Sequence, residues 1–459
     1  MDIKDKTTTF FGTDGVRGRV GSWPITTDFV NKLGWALGML CADVDNAKVL
    51  IGKDTRLSGY MFEAALQAGL CSAGVDVYLL GPMPTPAVAY LTRTFHAAFG
   101  VMISASHNPH YDNGFKVFSP EGTKLSHECQ NEIEAALTLE MAMIKPEKLG
   151  RAYRVDDASG RYIEYCKSTA PHFFDLTGIK IVLDCAHGAT YHIAGNVFRE
   201  LGAQVVEIGI NPDGLNINHN SGSTSPQALQ LVVNKEKADV GIAFDGDGDR
   251  VIMVDHLGKL VDGDDILYVI AKDAHQKGTL GGGVVGTLMS NLGLEHVMKA
   301  AGIPFVRSSV GDRYVMRELV SRNWLLGGES SGHIIWRGSS TTGDGIVAAL
   351  QVLTVMKEQK KSLSALLAPL KKYPQKLTNI PLNCRLKETV LQSIQTLAEE
   401  ATNSLQSAGR VLIRASGTEP LLRVMVEGQD QSLVNDWSAR LKAQVIALMK
   451  KSETSSVDD

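Results

Sequence analysis

Six cysteines in 459 residues are scattered as Cys41, Cys71, Cys129, Cys166, Cys185 and Cys384, with no Cys-x-x-Cys pair. That spacing supplies no disulfide framework and no zinc site, so buried reduced thiols are expected. No apolar run reaches the length of a membrane span. The opening Met1-Asp2-Ile3-Lys4-Asp5-Lys6 lacks the apolar stretch of a signal peptide, so a cytoplasmic location is expected. Charge of one sign is also missing: 46 basic residues face 50 acidic ones, for a net charge of −4. Such a balance gives no global field for nucleic acid or an anionic membrane, and neither partner is expected. The glycine-rich Phe11-Gly12-Thr13-Asp14-Gly15-Val16-Arg17-Gly18 lacks the Gly-Lys-Ser/Thr ending of a Walker loop, and no dinucleotide fingerprint follows a strand.

What is present is apolar substance, 44% of the residues, enough for several cores. At roughly 100–200 residues per domain the length suggests about three or four domains. Short apolar runs alternate with helical patterns, which predicts an α/β fold with mixed, mainly parallel sheets. Strands are expected at 48–52, 75–81, 99–103, 180–184, 204–208, 240–244 and 304–307, and helices at 58–74, 193–201, 293–301 and 345–359. Pro82, Pro84 and Pro86 read as a stiffened loop, and Gly281-Gly282-Gly283 as a turn. After Tyr373-Pro374 the order changes to helix 388–404, adjacent strands 410–414 and 422–427, and helix 433–450, a smaller α+β domain. Three similar α/β domains are expected at 1–158, 159–260 and 261–374, and the C-terminal domain at 375–459.

Four segments carry chemistry. Ser104-Ala105-Ser106-His107-Asn108-Pro109 directly follows the 99–103 strand, where open α/β sheets place ligands, and Lys116 lies shortly beyond. A serine hydroxyl needs help to act as a nucleophile, and His107 and Lys116 are near in sequence. Asp245-Gly246-Asp247-Gly248-Asp249-Arg250 alternates carboxylates with glycines after a buried strand. Three such anions repel unless a hard cation, Mg²⁺ or Ca²⁺, holds them. An EF-hand would need glycine at the sixth and glutamate at the twelfth position, and Arg250 and His256 stand there. A phosphatase with an aspartate nucleophile also fits this segment. Gly327-Gly328-Glu329-Ser330-Ser331-Gly332-His333 offers groups for sugar hydroxyls and proton transfer. Arg414-Ala415-Ser416-Gly417-Thr418-Glu419-Pro420, with Arg423, holds the donors of a phosphate clamp. Each segment alone also reads as an ordinary polar turn.

With the Phe11–Gly18 segment, these motifs stand in an order that resembles the α-D-phosphohexomutase superfamily from about Phe10 to Gly428, and most closely its glucosamine-phosphate branch. The resemblance implies four domains around a central cleft and a phosphorylated Ser106. It implies one Mg²⁺ per subunit, held by Asp245, Asp247, Asp249 and the Ser106 phosphate. Arg17, Lys116 and Arg250 would line the reaction centre, with Lys116 and His333 as candidates for acid–base work and His107 as a catalytic residue beside Ser106. Glu329 and Ser331 would read sugar hydroxyls, and Arg414, Ser416, Gly417, Thr418 and Arg423 would clamp the phosphate that is not reacting. The implied reaction interconverts glucosamine 6-phosphate and glucosamine 1-phosphate through a bisphosphorylated sugar, which also serves as activator. A kinase or autophosphorylation would first load Ser106. A glucose- or mannose-phosphate mutase is the nearest alternative, and a non-catalytic sugar-phosphate binder the alternative from another class.

Overall fold

The computed structural model describes residues 10–12, 14–41, 46–382, 388–405, 408–415 and 421–454. In the first sheet β1 (Val16–Arg19), β2 (Lys48–Lys53), β3 (Asp76–Pro82), β4 (Phe99–Ile103), β5 (Asp112–Phe118) and β6 (Ala152–Arg154) lie in the order β1-β5-β4-β2-β3-β6. The second holds β7 (Lys180–Asp184), β8 (Gln204–Ile208), β9 (Val240–Phe244), β10 (Val251–Asp255) and β11 (Leu260–Val261), ordered β11-β10-β9-β7-β8. The third holds β12 (Val284–Thr287), β13 (Phe305–Ser308), β14 (Leu326–Gly328) and β15 (Ile334–Trp336), ordered β13-β12-β14-β15. In the fourth, β16 (Gln375–Pro381), β17 (Gly409–Ala415) and β18 (Leu421–Gly428) run antiparallel in the order β16-β18-β17.

One topology recurs in the first three sheets. A central strand (β2, β7 or β12) is flanked by two parallel neighbours, and one of these turns back into an antiparallel strand: β4 into β5, β9 into β10, β14 into β15. All five residues of β4, Phe-Gly-Val-Met-Ile, and of β9, Val-Gly-Ile-Ala-Phe, are buried. Burial on both faces is why they read as unbroken apolar runs rather than alternating ones.

Two expectations change. Pro82 to Pro86 is not merely a loop: helix Thr85–Thr94 starts inside it, with Pro86 in the first turn, where a missing N–H leaves no intrahelical bond unmade. The C-terminal sheet has a third strand, β16, whose sequence Gln-Lys-Leu-Thr-Asn-Ile-Pro carries almost no apolar alternation because it is an edge strand with mostly exposed side chains.

The chain forms two compact units. One contains the described residues up to Thr287 together with Ile303–Ala368; the other contains Leu288–Gly302 and the described residues from Pro369 onward. The core of the first sheet combines Val49, Ile51, Val101, Ile103 and Phe115 with Phe29, Leu33, Leu66 and Leu70 from its helices. Among the described residues no helix is long and apolar enough to cross a membrane, and Cys41, Cys71, Cys129, Cys166 and Cys185 carry free thiols.

Candidate active site

The turn that leaves each repeated parallel strand is where the chemistry gathers. After β4 comes Ser106, fully buried and in the left-handed region at φ 54°. A residue with a β-carbon reaches that region only when its surroundings hold it there. Its N–H donates to Ser104 Oγ (2.8 Å), and Ser104 Oγ donates to Asp54 Oδ2 (2.6 Å). Its own hydroxyl donates to Asp245 Oδ2 at 2.6 Å and lies 3.4 Å from His107 Nδ1. Burial, with Arg250 and Arg17, brings His107 down to about 4, so its ring is neutral at physiological pH.

After β9 the ligand oxygens of Asp245, Asp247 and Asp249 lie within 4.8 Å of one another, and all three residues are buried. Burial, helped by Asp249 and Asp247, pushes the Asp245 carboxyl well above the usual carboxylate range. Burial would raise Asp249 as well, but Lys116, His333 and Arg250 outweigh it and hold its carboxyl well below that range. Lys116, on β5 opposite Met102 of β4, donates to Asp247 Oδ2 (2.8 Å) and Asp249 Oδ2 (2.7 Å) and pairs with Asp14 at 3.4 Å. Burial opposes a charge on Lys116, yet these three carboxylates keep its amine well above the ordinary value. Asp247 Oδ1 and Asp249 Oδ1 are buried without a hydrogen-bond partner among the described residues. Orphaned, convergent, all-oxygen donors fit a hard divalent cation. Thr85, in the first turn of helix Thr85–Thr94, fixes this loop by donating through its N–H to Asp247 O (2.8 Å) and through its hydroxyl to the Asp247 carboxylate.

After β14 comes the third turn. Glu329 Oε1 accepts from Gly311 N–H at 2.9 Å, and Ser331 Oγ is buried without a hydrogen-bond partner among the described residues. His333 sits between Asp249 (Nδ1 to Oδ1, 3.8 Å) and Asp312 (Nε2 to Oδ2, 3.6 Å), and Gly343 N–H donates to its Nε2 at 3.2 Å. Burial opposes its charging, but Asp249, Asp312 and Glu329 prevail and raise it. Thus turns from three sheets bring Ser106, His107, Asp245, Asp247, Asp249 and His333 together, with Lys116 reaching in from β5. Arg17 pairs with Asp14 at 2.8 Å, and Arg250 Nε lies 3.9 Å from Asp249 Oδ1. Arg414 and Arg423 belong to the second unit, as direct partners across β17 and β18; Ser416, Gly417 and Thr418 lie outside the described residues.

Several participants escape a motif reading. Asp14, Lys124 and Asp312 form a further charged chain: Lys124 Nζ bonds both carboxylates, and Asp312 reaches His333. Asp54 and Arg56 follow the carboxyl end of β2, both fully buried, and Asp54 accepts from the guanidinium at 2.8 Å. The available signal was position: charged residues directly after a buried parallel strand, as with Ser106 and Asp245.

Models of four domains match the chain in order. They are described as phosphoglucomutase/phosphomannomutase alpha/beta/alpha domain I (residues 8–142), domain II (161–258) and domain III (262–373), and C-terminal domain (377–444). A phosphoglucosamine mutase of Pseudomonas savastanoi pv. phaseolicola is 57% identical over 442 residues, covering 95% of this chain and 99% of that protein. One of Aeromonas hydrophila is 56% identical over 436 residues, covering 95% and 98%. Among solved structures, a phosphoglucomutase/phosphomannomutase family protein of Burkholderia thailandensis shares the fold, with a TM-score of 0.80 at 22% identity over 97% of this chain and 98% of that one.

Proposed function

This chain belongs to the phosphoglucomutase/phosphomannomutase family, and we propose that Ser106 is the phosphoryl carrier of its reaction. The activity is that of a phosphoglucosamine mutase, an isomerase. Glucosamine 6-phosphate and glucosamine 1-phosphate are interconverted through a phosphoserine enzyme and a bisphosphorylated sugar, in the pathway to UDP-N-acetylglucosamine and the cell wall. The observation that supports the carrier role best is the buried Ser106 hydroxyl, held 2.6 Å from Asp245 at the edge of a three-carboxylate cluster.

In the first half-reaction the bond from Ser106 Oγ to phosphorus breaks as the free sugar hydroxyl bonds to that phosphorus. The proton of the hydroxyl passes to a protein base. In the second half-reaction the bond between the sugar's other phosphorylated oxygen and its phosphorus breaks as Oγ bonds to that phosphorus, and the freed sugar oxygen takes a proton from a protein acid. Phosphoryl transfer asks mainly for positioning and neutralised charge. Arg17, Lys116 and Arg250 bring cations to the transferring group. Of the proton carriers, His107 is neutral and fits acceptance, Lys116 is held protonated and fits donation, and the carboxylates around His333 favour its charged form. Asp245, Asp247, Asp249 and the Ser106 phosphate are the ligands proposed for one Mg²⁺ per subunit, which neutralises phosphoryl charge when bound. Glu329 and Ser331 read the sugar hydroxyls. Arg414, Ser416, Gly417, Thr418 and Arg423 bind the phosphate that is not reacting; Arg414 and Arg423, direct partners across β17 and β18, offer planar guanidinium donors that suit a phosphate. Domain limits at 1–158, 159–260, 261–374 and 375–459, a cytoplasmic location, activation by the bisphosphorylated sugar, and first loading of Ser106 by a kinase or by autophosphorylation belong to the same reading.

The test is Ser106→Ala. Turnover of glucosamine 1-phosphate should fall by at least about four orders of magnitude, as when a covalent nucleophile is removed. Phosphate should be found on the parent chain at Ser106 by mass spectrometry. Normal turnover by the variant would sink the carrier role, and release of inorganic phosphate in place of the isomeric sugar would make the protein a phosphatase.

A further inference from the structure

The carbonyl of Ser106 is gripped from two sides by side chains that touch no reacting atom. From the first sheet, the fully buried Arg56 spreads its guanidinium over the turn. Nη2 donates to Ser106 O (3.0 Å) and Asn108 O (2.8 Å), and Nη1 to Asp112 O (3.1 Å) and Pro109 O. Its remaining Nε–H is taken by Asp54 Oδ2 (2.8 Å), which balances the charge. From the second sheet, Asn218 Nδ2 donates to the same two carbonyls, Ser106 O (2.9 Å) and Asn108 O (3.2 Å). Asn218 is itself in the left-handed region at φ 58°, as are Ala186 and His187 beside it, and its N–H is held by Ala186 O at 2.9 Å. Strained backbone of this kind persists where the surroundings over-determine it.

Building on the phosphoserine reading above, we infer that Arg56 and Asn218 form a two-sided clamp that positions Ser106 for phosphoryl transfer. The planar fork of an arginine suits several carbonyls at once, which a single ammonium cannot match. Fixing the Ser106 carbonyl fixes the peptide on which the left-handed conformation rests, and so fixes the line from Oγ to Asp245. That line is used twice per catalytic cycle, once to give a phosphoryl group and once to take one back. The clamp therefore acts on the transfer rate, not on sugar affinity.

Two variants test this. Arg56→Lys keeps the charge opposite Asp54, so folding is supported, but removes the fork. Asn218→Asp keeps shape and tolerance of the left-handed region, but turns a donor into an acceptor facing two carbonyls. In each, kcat should fall by about a hundredfold, the order expected for a misplacement of about 1 Å at the reacting group. KM for glucosamine 1-phosphate should stay near the parent value. Single-turnover loading of Ser106 from the bisphosphorylated sugar should slow by the same factor. The double variant should lose less than the product of the two, because both act on the same carbonyls. Phosphate absent from Ser106 in the parent chain would overturn the phosphoserine reading and this inference with it. Phosphate present, with kcat of Asn218→Asp at the parent level or with KM carrying the loss, would overturn the clamp alone. If Arg56→Lys does not fold, Asn218→Asp decides.

Discussion

Carboxylates confined to a protein interior must lose charge to a proton, a neighbouring cation or a metal. Here the first two routes are visible: the raised Asp245 favours its neutral form, and Lys116 covers Asp247 and Asp249. The orphaned Oδ1 atoms of Asp247 and Asp249 leave the third route open. Calorimetric titration with Mg²⁺ should therefore give one site per chain, and Asp247→Asn should weaken it by at least about tenfold, as loss of one charged ligand does. Unchanged affinity in that variant would exclude Asp247 from the site. Another buried carboxylate, Asp344, caps helix Gly345–Gln359 through Val347 N–H (3.0 Å) and accepts from Tyr162 Oη (2.9 Å). Burial lifts it from 3.8 to about 6. The folded state then binds this proton more tightly than the unfolded chain, so its contribution to stability falls as pH rises from about 4 to 6. Above that the penalty is complete, about 3 kcal/mol at roughly 1.4 kcal/mol per pH unit. Asparagine is an equally good cap, and Tyr162 can turn its hydroxyl to accept. Asp344→Asn should thus match the parent near pH 4 and exceed its thermal midpoint at pH 8; a variant less stable at pH 8 would show that Asp344 is held ionised by groups beyond these. At this scale the sequence was legible where like residues cluster, as in Asp245–Asp249, or where Ser106 follows a strand. It was silent on the joining of Asp14 to Lys116 and Lys124, of Lys124 to Asp312, and of Arg56 to the Ser106 turn, because these contacts span tens to hundreds of residues and leave no local pattern.

The elements that carry chemistry are the same in each α/β sheet: a buried parallel strand, a turn, and an antiparallel return. This arrangement places the turns after β4, β9 and β14 at the carboxyl ends of parallel strands, where backbone donors and side chains are free of the ladder. Buried strands such as β4 and β9 were readable because water touches neither face. The return strands β5 and β10 are not foreseen from the sequence: in β5 the residues Asp112, Asn113 and Lys116 interrupt the apolar run, and β10, although apolar through Val254, directly follows the acidic motif and is not set apart from its loop. Between the first two turns the spacing is set by a glycine. A β-carbon on Gly246 would fall 2.6 Å from Ser106 O, 2.8 Å from Asn218 Nδ2 and 2.8 Å from Ile217 Cδ1. Ile217 Cδ1 can turn aside, but Ser106 O and Asn218 Nδ2 cannot retreat without loosening the Ser106 turn. Gly246→Ala should cost about 1–3 kcal/mol in stability, as overpacking does, and lower kcat at least about tenfold. Gly160, in helix Ala158–Ser168, has open space around its would-be β-carbon, and Gly160→Ala should be neutral or gain up to about 1 kcal/mol. Parallel thermal melts and steady-state rates of the two variants separate steric exclusion at Gly246 from a general intolerance of substitution.

For the molecule as a whole, succession along the chain and membership of a compact unit differ at one place. Helix Leu292–Ala300 follows β12 in sequence, yet it belongs to the second unit, not to the unit that holds the third sheet. Periodicity predicts such a helix but not its destination, because an amphipathic face does not name the surface that covers it. Specific polar bonds fix the choice. Glu427 on β18, with its side chain wholly buried, accepts from Leu292 N–H (3.0 Å) and pairs with Arg410 on β17 at 2.6 Å. Arg410 in turn donates to Leu288 O (2.9 Å) and Ser290 O (2.6 Å), while Asn291 exchanges two bonds with the Tyr373 backbone. Removing the cation alone strands a buried carboxylate, so Arg410→Met should cost the second unit about 3–5 kcal/mol. Glu427→Gln keeps an acceptor for Leu292 and leaves Arg410 partly exposed to water, so its cost should be smaller, about 1–2 kcal/mol. Hydrogen exchange followed by mass spectrometry reads where each loss falls. In Arg410→Met protection should drop across Leu288–Gly302 and across β16, β17 and β18, while β4 and β9 exchange at the parent rate. Equal loss in β4 and β9 would mean that the chain unfolds as one cooperative body, and retained protection in Leu288–Gly302 would mean that the Arg410–Glu427 pair does not hold that segment in the second unit.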